Sequence, residues 1–109
     1  MLEEQEIYIK ESKINFAAEK IRNRFCCNIL NICYLPTRYD VIWIQWVVGH
    51  LSDLEFVDLL KTAKNFAGTI ILKDNYSRTS FMYDEIYGNI IRNLSIYNDI
   101  FREAGVKVL

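Results

Sequence analysis

Val41-Ile42-Trp43-Ile44-Gln45-Trp46-Val47-Val48 is the stretch on which the fold turns. Apart from Gln45 it is apolar without alternation. A strand with one wet face alternates polar and apolar residues, so this run reads as a strand buried on both faces, as in a parallel sheet. Gly49 and His50 break it. Ser52 and Glu55 then stand in Ser-x-x-Glu spacing, a capping box that starts a helix. Leu54, Val57, Leu60 and Ala63 supply that helix with an apolar face. Residues 65–68 read as a loop, and Thr69-Ile70-Ile71-Leu72 as a second buried strand.

Working outward, residues 73–80 form a polar loop. From about 84 to 102 a second helix recurs, with Ile86, Ile90, Leu94, Tyr97 and Phe101 along one side. Gly105 is its stop, and residues 106–109 begin a third strand. Toward the N-terminus, Leu35-Pro36-Thr37 is a breaker. Residues 25–30 read as a short strand and residues 5–22 as an amphipathic helix. Strands alternating with helices imply an α/β fold, a parallel sheet with right-handed crossovers and helices on its faces.

The 109 residues allow one domain. Hydrophobic residues are 51 % and charged residues 25 %, enough for a core and too apolar for a disordered chain. A net charge of −1 signals no basic face, so no nucleic-acid partner is expected. No apolar run approaches the roughly 18 residues of a membrane span. The acidic N-terminus, residues 1–6, is no signal peptide, so the cytosol or nucleus is expected. Three cysteines, Cys26, Cys27 and Cys33, and one histidine lack zinc-site spacing, so no metal is expected and the thiols read as small core residues.

In open parallel sheets ligands sit at the carboxyl ends of the strands. That rule picks out Gln45, Trp46 and the loop to His50, then Asp74 and Asn75, and residues 28–31 after the first strand. His50 is either a packed loop histidine or a general base. Asn75 is either a loop former or a carbonyl acceptor for an incoming amine. Asp84 and Glu85 are placed favourably at a helix start, or bind a cation. Trp43 reads as core. Trp46 divides between core and a pocket floor for an apolar ring.

Three motifs in register then resemble a known family. Residues 39–53, YDVIWIQWVVGHLSD, look like the central motif of the eukaryotic alpha-N-terminal protein methyltransferases. Arg22-Asn23-Arg24-Phe25-Cys26-Cys27 upstream and Ile70-Ile71-Leu72-Lys73-Asp74-Asn75 downstream resemble that family in order and spacing. The resemblance implies a class I methyltransferase (Rossmann-like) fold with S-adenosylmethionine as cofactor. It implies substrates that are proteins beginning X-Pro-Lys, methylated on the alpha-amino group. By motif, Gln45 would hold the cofactor, with Asn28, Ile29 and Leu30 on its adenine side. Trp46 would pack on the substrate proline and Asp84 would meet its lysine. Asn75 would position the amine and His50 would assist its deprotonation.

The sequence also departs from the family. Tyr87 stands where the family has a second acid, and Asn28-Ile29-Leu30 where it has Gly-Leu-Gln. The family's glycine-rich cofactor loop has no counterpart among Gly49, Gly68, Gly88 and Gly105. The expectation is a single partial domain over residues 1–109, without the first strands or the last hairpin, completed by a second chain. The alternative is a degenerate homologue that does not catalyse and buries its sheet edge against a partner. A third reading is a small α/β interaction module.

Overall fold

The computed structural model describes residues 2–3, 25–34 and 37–109. The expected helix over 5–22 lies outside them. The chain divides into two compact units, Met1–Leu35 and Pro36–Leu109.

In the first unit β1 (Leu2–Glu3) pairs in parallel with β2 (Phe25–Cys26). The strand expected over 25–30 stops after two residues. Asn28 explains this: its Oδ1 accepts the Leu30 N–H at 2.9 Å and its carbonyl accepts the Asn31 N–H at 2.9 Å. Such local bonds compete with a ladder, and a 3-10 helix, Ile29–Tyr34, follows. Ile32 is buried. Cys26 is exposed and Cys27 half-buried, so neither is the core residue expected.

The second unit is built on β3 (Tyr39–Gln45), paired in parallel with β4 (Ala67–Lys73) in the register Val41↔Thr69, Trp43↔Ile71, Gln45↔Lys73. Between them run a 3-10 turn, Val48–His50, and α1 (Asp53–Ala63). The capping box at α1 forms in full. Ser52 Oγ accepts the Glu55 N–H, and Glu55 Oε2 accepts the Ser52 N–H at 2.8 Å. The buried stripe is Phe56, Val57, Leu59, Leu60 and Ala63. Leu54, expected on that face, is 78 % exposed. At 3.6 residues per turn it stands nearly opposite the centre of the stripe.

The helix expected from about 84 to 102 is two elements. Residues 82–91 form a hairpin of β5 (Met82–Asp84) and β6 (Asn89–Ile91), antiparallel. Asp84 Oδ1 accepts the N–H groups of Ile86 (3.0 Å) and Tyr87 (3.4 Å). Gly88 then supplies φ +61° for the reversal. Ile86 and Ile90 have helical spacing by coincidence, and Ile86 is 86 % exposed at the hairpin tip. The helix proper, α2 (Leu94–Ala104), starts at Asn93, whose Oδ1 accepts the Ile96 N–H at 2.9 Å. Gly105 ends it in the left-handed conformation, as expected. Residues 106–109 form no strand.

The core lies between the helices and one face of the sheet. Phe56 of α1 meets Tyr97 and Phe101 of α2 edge-on, at 6.1 and 6.4 Å between ring centroids. Ile44, Val48, Leu51 and Ile100 are buried with them. Burying each such side chain contributes about 1.5–3 kcal/mol. The other face is bare. Trp43 is 60 % exposed, and Tyr39, Val41 and Ile71 are exposed beside it. The run that reads as buried on both faces is covered on one.

Candidate functional site

The site is built where β3 and β4 end. Gln45 is half-buried, and its Oε1 accepts the indole N–H of Trp43 at 3.0 Å. The backbone then turns sharply. Trp46 has φ +54°, in the left-handed region that a bulky residue rarely adopts. Its N–H still donates to the Lys73 carbonyl at 3.0 Å. The strained residue is therefore held by the same ladder that precedes it. Lys73 Nζ lies 5.2 Å from the Trp46 ring centroid, a cation–π contact.

Beyond β4, Asp74 Oδ1 accepts the Asn75 N–H at 2.7 Å. Asp74 Oδ2 is buried with no hydrogen-bond partner among the described residues. Tyr97 of α2 donates its phenol to the Asn75 carbonyl at 2.9 Å. Burial pushes the Tyr97 pKa up to about 12; the Asp74 charge adds to this and Arg92 opposes it. The Asn75 side chain stays exposed.

His50 ends the turn after Trp46 and is exposed. Its backbone N–H donates to the Val47 carbonyl at 3.2 Å. Gly49 before it is buried, because the hairpin lies on it. A Cβ there would overlap Asn89 Oδ1 and come within 3.0 Å of the Ile90 carbonyl oxygen. Asn89 is the ladder partner of Asp84. Asp84 thus lies on the hairpin whose other strand packs on the His50 turn, not at the helix start expected of it. One of its carboxylate oxygens is committed to the turn of that hairpin.

Gln45, Trp46, His50, Asn75 and Asp84 therefore share one end of the β3–β4 pair. Asn28, Ile29 and Leu30 belong to the other unit, where Asn28 and Ile29 are half-buried and Leu30 is exposed. An open cleft of about 720 Å³ lies elsewhere, lined along β4 and by Val106, Val108 and Leu109; none of the five site residues lines it.

Arg92 is the residue the sequence did not single out. It follows β6 directly and is fully buried. Nε donates to Asp53 Oδ1 at 2.7 Å, and the two terminal nitrogens donate to the carbonyls of Val48 (2.9 Å) and Leu51 (2.6 Å). Its guanidinium carbon lies 5.2 Å from the Phe56 ring centroid. The signal for it was an arginine joined to an apolar run, Asn89-Ile90-Ile91-Arg92. A charge there must be paired or be left out of the core.

Among the described residues no three His, Cys, Asp or Glu side chains group as a metal site. No helix among them is long and apolar enough to cross a membrane. A methyl-donor cofactor fits the Gln45 corner in one respect: the amide N–H₂ makes no hydrogen bond among the described residues, while the carbonyl is tied to Trp43. An amide donor there suits the carboxylate or ring nitrogens of such a cofactor.

Known proteins resemble this chain over its whole length. Residues 1–109 match the family described as AdoMet dependent proline di-methyltransferase. The N-terminal Xaa-Pro-Lys N-methyltransferase 1 of Rattus norvegicus is 32 % identical over all of this chain and 51 % of its own length. That of Ailuropoda melanoleuca is 36 % identical over 84 % of this chain and 42 % of its own. The chain spans about half the length of the curated relatives it matches. A solved SAM-dependent methyltransferase of Leishmania major superposes with a TM-score of 0.85 at 25 % identity, covering 99 % of this chain and 45 % of that one.

Proposed function

The chain belongs to the AdoMet-dependent proline di-methyltransferase family, and from that premise we propose that it serves methyl transfer to the alpha-amino group of proteins beginning X-Pro-Lys. The observation that carries this is the gathering of Gln45, Trp46, His50, Asn75 and Asp84 at one strand end. We place the activity in the cytosol or nucleus. Residues 1–109 act as part of a methyltransferase domain.

S-adenosylmethionine, when bound, supplies an electrophilic methyl group. Gln45 would hold it through its amide N–H₂. Trp46, 58 % exposed, offers its ring to the substrate proline. Asn75 accepts an N–H of the substrate amine on its side-chain carbonyl and so aims the lone pair. An alpha-amino group has a pKa near ~8, so an imidazole such as His50 suffices to take its proton. Asp84 keeps carboxylate capacity for the substrate lysine.

One observation favours a second reading. Tyr87, where the family carries an acid, is 75 % exposed at the hairpin tip. On that reading the chain is a non-catalytic homologue that binds a partner.

Titrating the purified chain with S-adenosylmethionine, and following an X-Pro-Lys peptide by mass spectrometry, separates the two. Cofactor binding with gain of methyl mass supports the first. No binding together with a stable complex with another chain supports the second.

A further inference from the structure

We propose that Arg92 is a positioning residue that ties the turn carrying His50 to the loop carrying Asn75. The proposal rests on the reading of those two residues as the pair that handles the substrate amine. Its geometric content stands apart from that reading and is measured without turnover.

Arg92 reaches both segments at once. Its side chain binds the carbonyls of Val48 and Leu51, which lie two residues before and one residue after His50. Its own carbonyl accepts the Ser77 N–H at 2.9 Å, two residues after Asn75. The neighbouring Asn93 extends the tie, donating Nδ2–H to the Thr79 carbonyl at 3.1 Å. Ser77 and Asn93 form a parallel bridge. Tyr97, one helical turn further, holds the Asn75 carbonyl. Beside the Trp46 N–H to Lys73 carbonyl bond, a second link from the His50 turn to the Asn75 loop thus runs through Arg92, by side chain on one side and backbone on the other.

The chemistry of the link requires arginine. The guanidinium is planar and presents its N–H groups in a rigid fork. Three of its directions are used here, toward one carboxylate and two carbonyls. A lysine ammonium is a compact point charge on a flexible stem and does not reproduce three in-plane bonds. Nothing among the described residues hydrogen-bonds the His50 ring. Where the ring stands is therefore set by the backbone of its turn, and Arg92 holds that backbone.

His50 is the only histidine in the chain, so its ring signal in a ¹H–¹³C spectrum has one assignment. In the wild-type chain the Arg92 Nε and Nη protons are expected as separate, exchange-protected resonances. Averaged, unprotected guanidinium signals overturn the proposal. In Arg92→Lys, the His50 ring signal and the Asn75 side-chain amide are expected to shift, while the Ile100 methyl signals in the core stay in place. Unchanged His50 and Asn75 signals in Arg92→Lys overturn it. So does an equal shift of the Ile100 methyls, which marks a general structural role. The functional reading fails separately, if His50→Ala retains full methyl transfer; the wild-type guanidinium and Arg92→Lys signals still decide the positioning role.

Discussion

Gly49 leaves no room for a side chain, and the site depends on it. Asn89 Oδ1 and the Ile90 carbonyl oxygen occupy the space a Cβ would need. Gly49→Ala must displace the Asn89 side chain and press on the Ile90 carbonyl, and overpacking of this kind costs about 1–3 kcal/mol. Urea unfolding monitored by circular dichroism checks this; a wild-type midpoint would show that the hairpin yields freely. Tyr97 carries a pH dependence. Its folded pKa, about 12, lies above the ordinary phenol value of 10.0. The folded state therefore holds this proton more tightly than the unfolded chain. Its contribution is fully present below pH 10 and is lost as pH rises toward 12. The urea midpoint of the wild type should fall across that window, and that of Tyr97→Phe should fall less. On the proposed function, His50→Ala and Asn75→Ala are each expected to lower methyl transfer by at least about 100-fold in the active enzyme. Circular dichroism should be unchanged, since both side chains are exposed.

At the scale of elements, local chemistry and the parallel β3–β4 pair were legible, and the antiparallel hairpin was not. The capping box at Ser52 and Glu55 is written in adjacent residues, and the stop at Gly105 in one. Ser52→Ala should destabilise the chain by about 1 kcal/mol, measured by thermal melting, because the Glu55 N–H loses its acceptor. The β5–β6 hairpin was hidden because Ile86, Ile90 and Leu94 repeat at four-residue intervals, as a helix does. What decides the matter is Asp84 taking two backbone N–H groups and Gly88 at positive φ. Of the eight residues assigned from the strand-end rule and the family resemblance, Gln45, Trp46, His50, Asn75 and Asp84 belong to the second unit, and Asn28, Ile29 and Leu30 to the first. Arg92 escaped because its role exists only once segments 39–44 residues apart in sequence have met. No periodicity records such a bond.

For the whole molecule, the bare face of the β3–β4 pair is the main departure from a sheet covered on both sides. Both tryptophans stand on or beside it, Trp43 at 60 % and Trp46 at 58 % exposure. Iodide should quench the fluorescence of both in the folded chain, and Trp43→Ser should cost little stability while removing one quenchable emitter. Retention of a fully shielded emission would contradict the bare face. The buried arginine has a further consequence, in time rather than in space. Its partners Asp53, Val48 and Leu51 are made long before it along the chain. Closing so long a loop is costly in chain entropy and is deferred until other contacts have formed. The helices and the parallel pair can consolidate first, leaving the turn with His50 unset until Arg92 docks. Arg92→Lys should then speed unfolding while hardly slowing refolding, the signature of a contact absent from the folding transition state. The turn that carries His50 would be the last to assemble and the first to come undone.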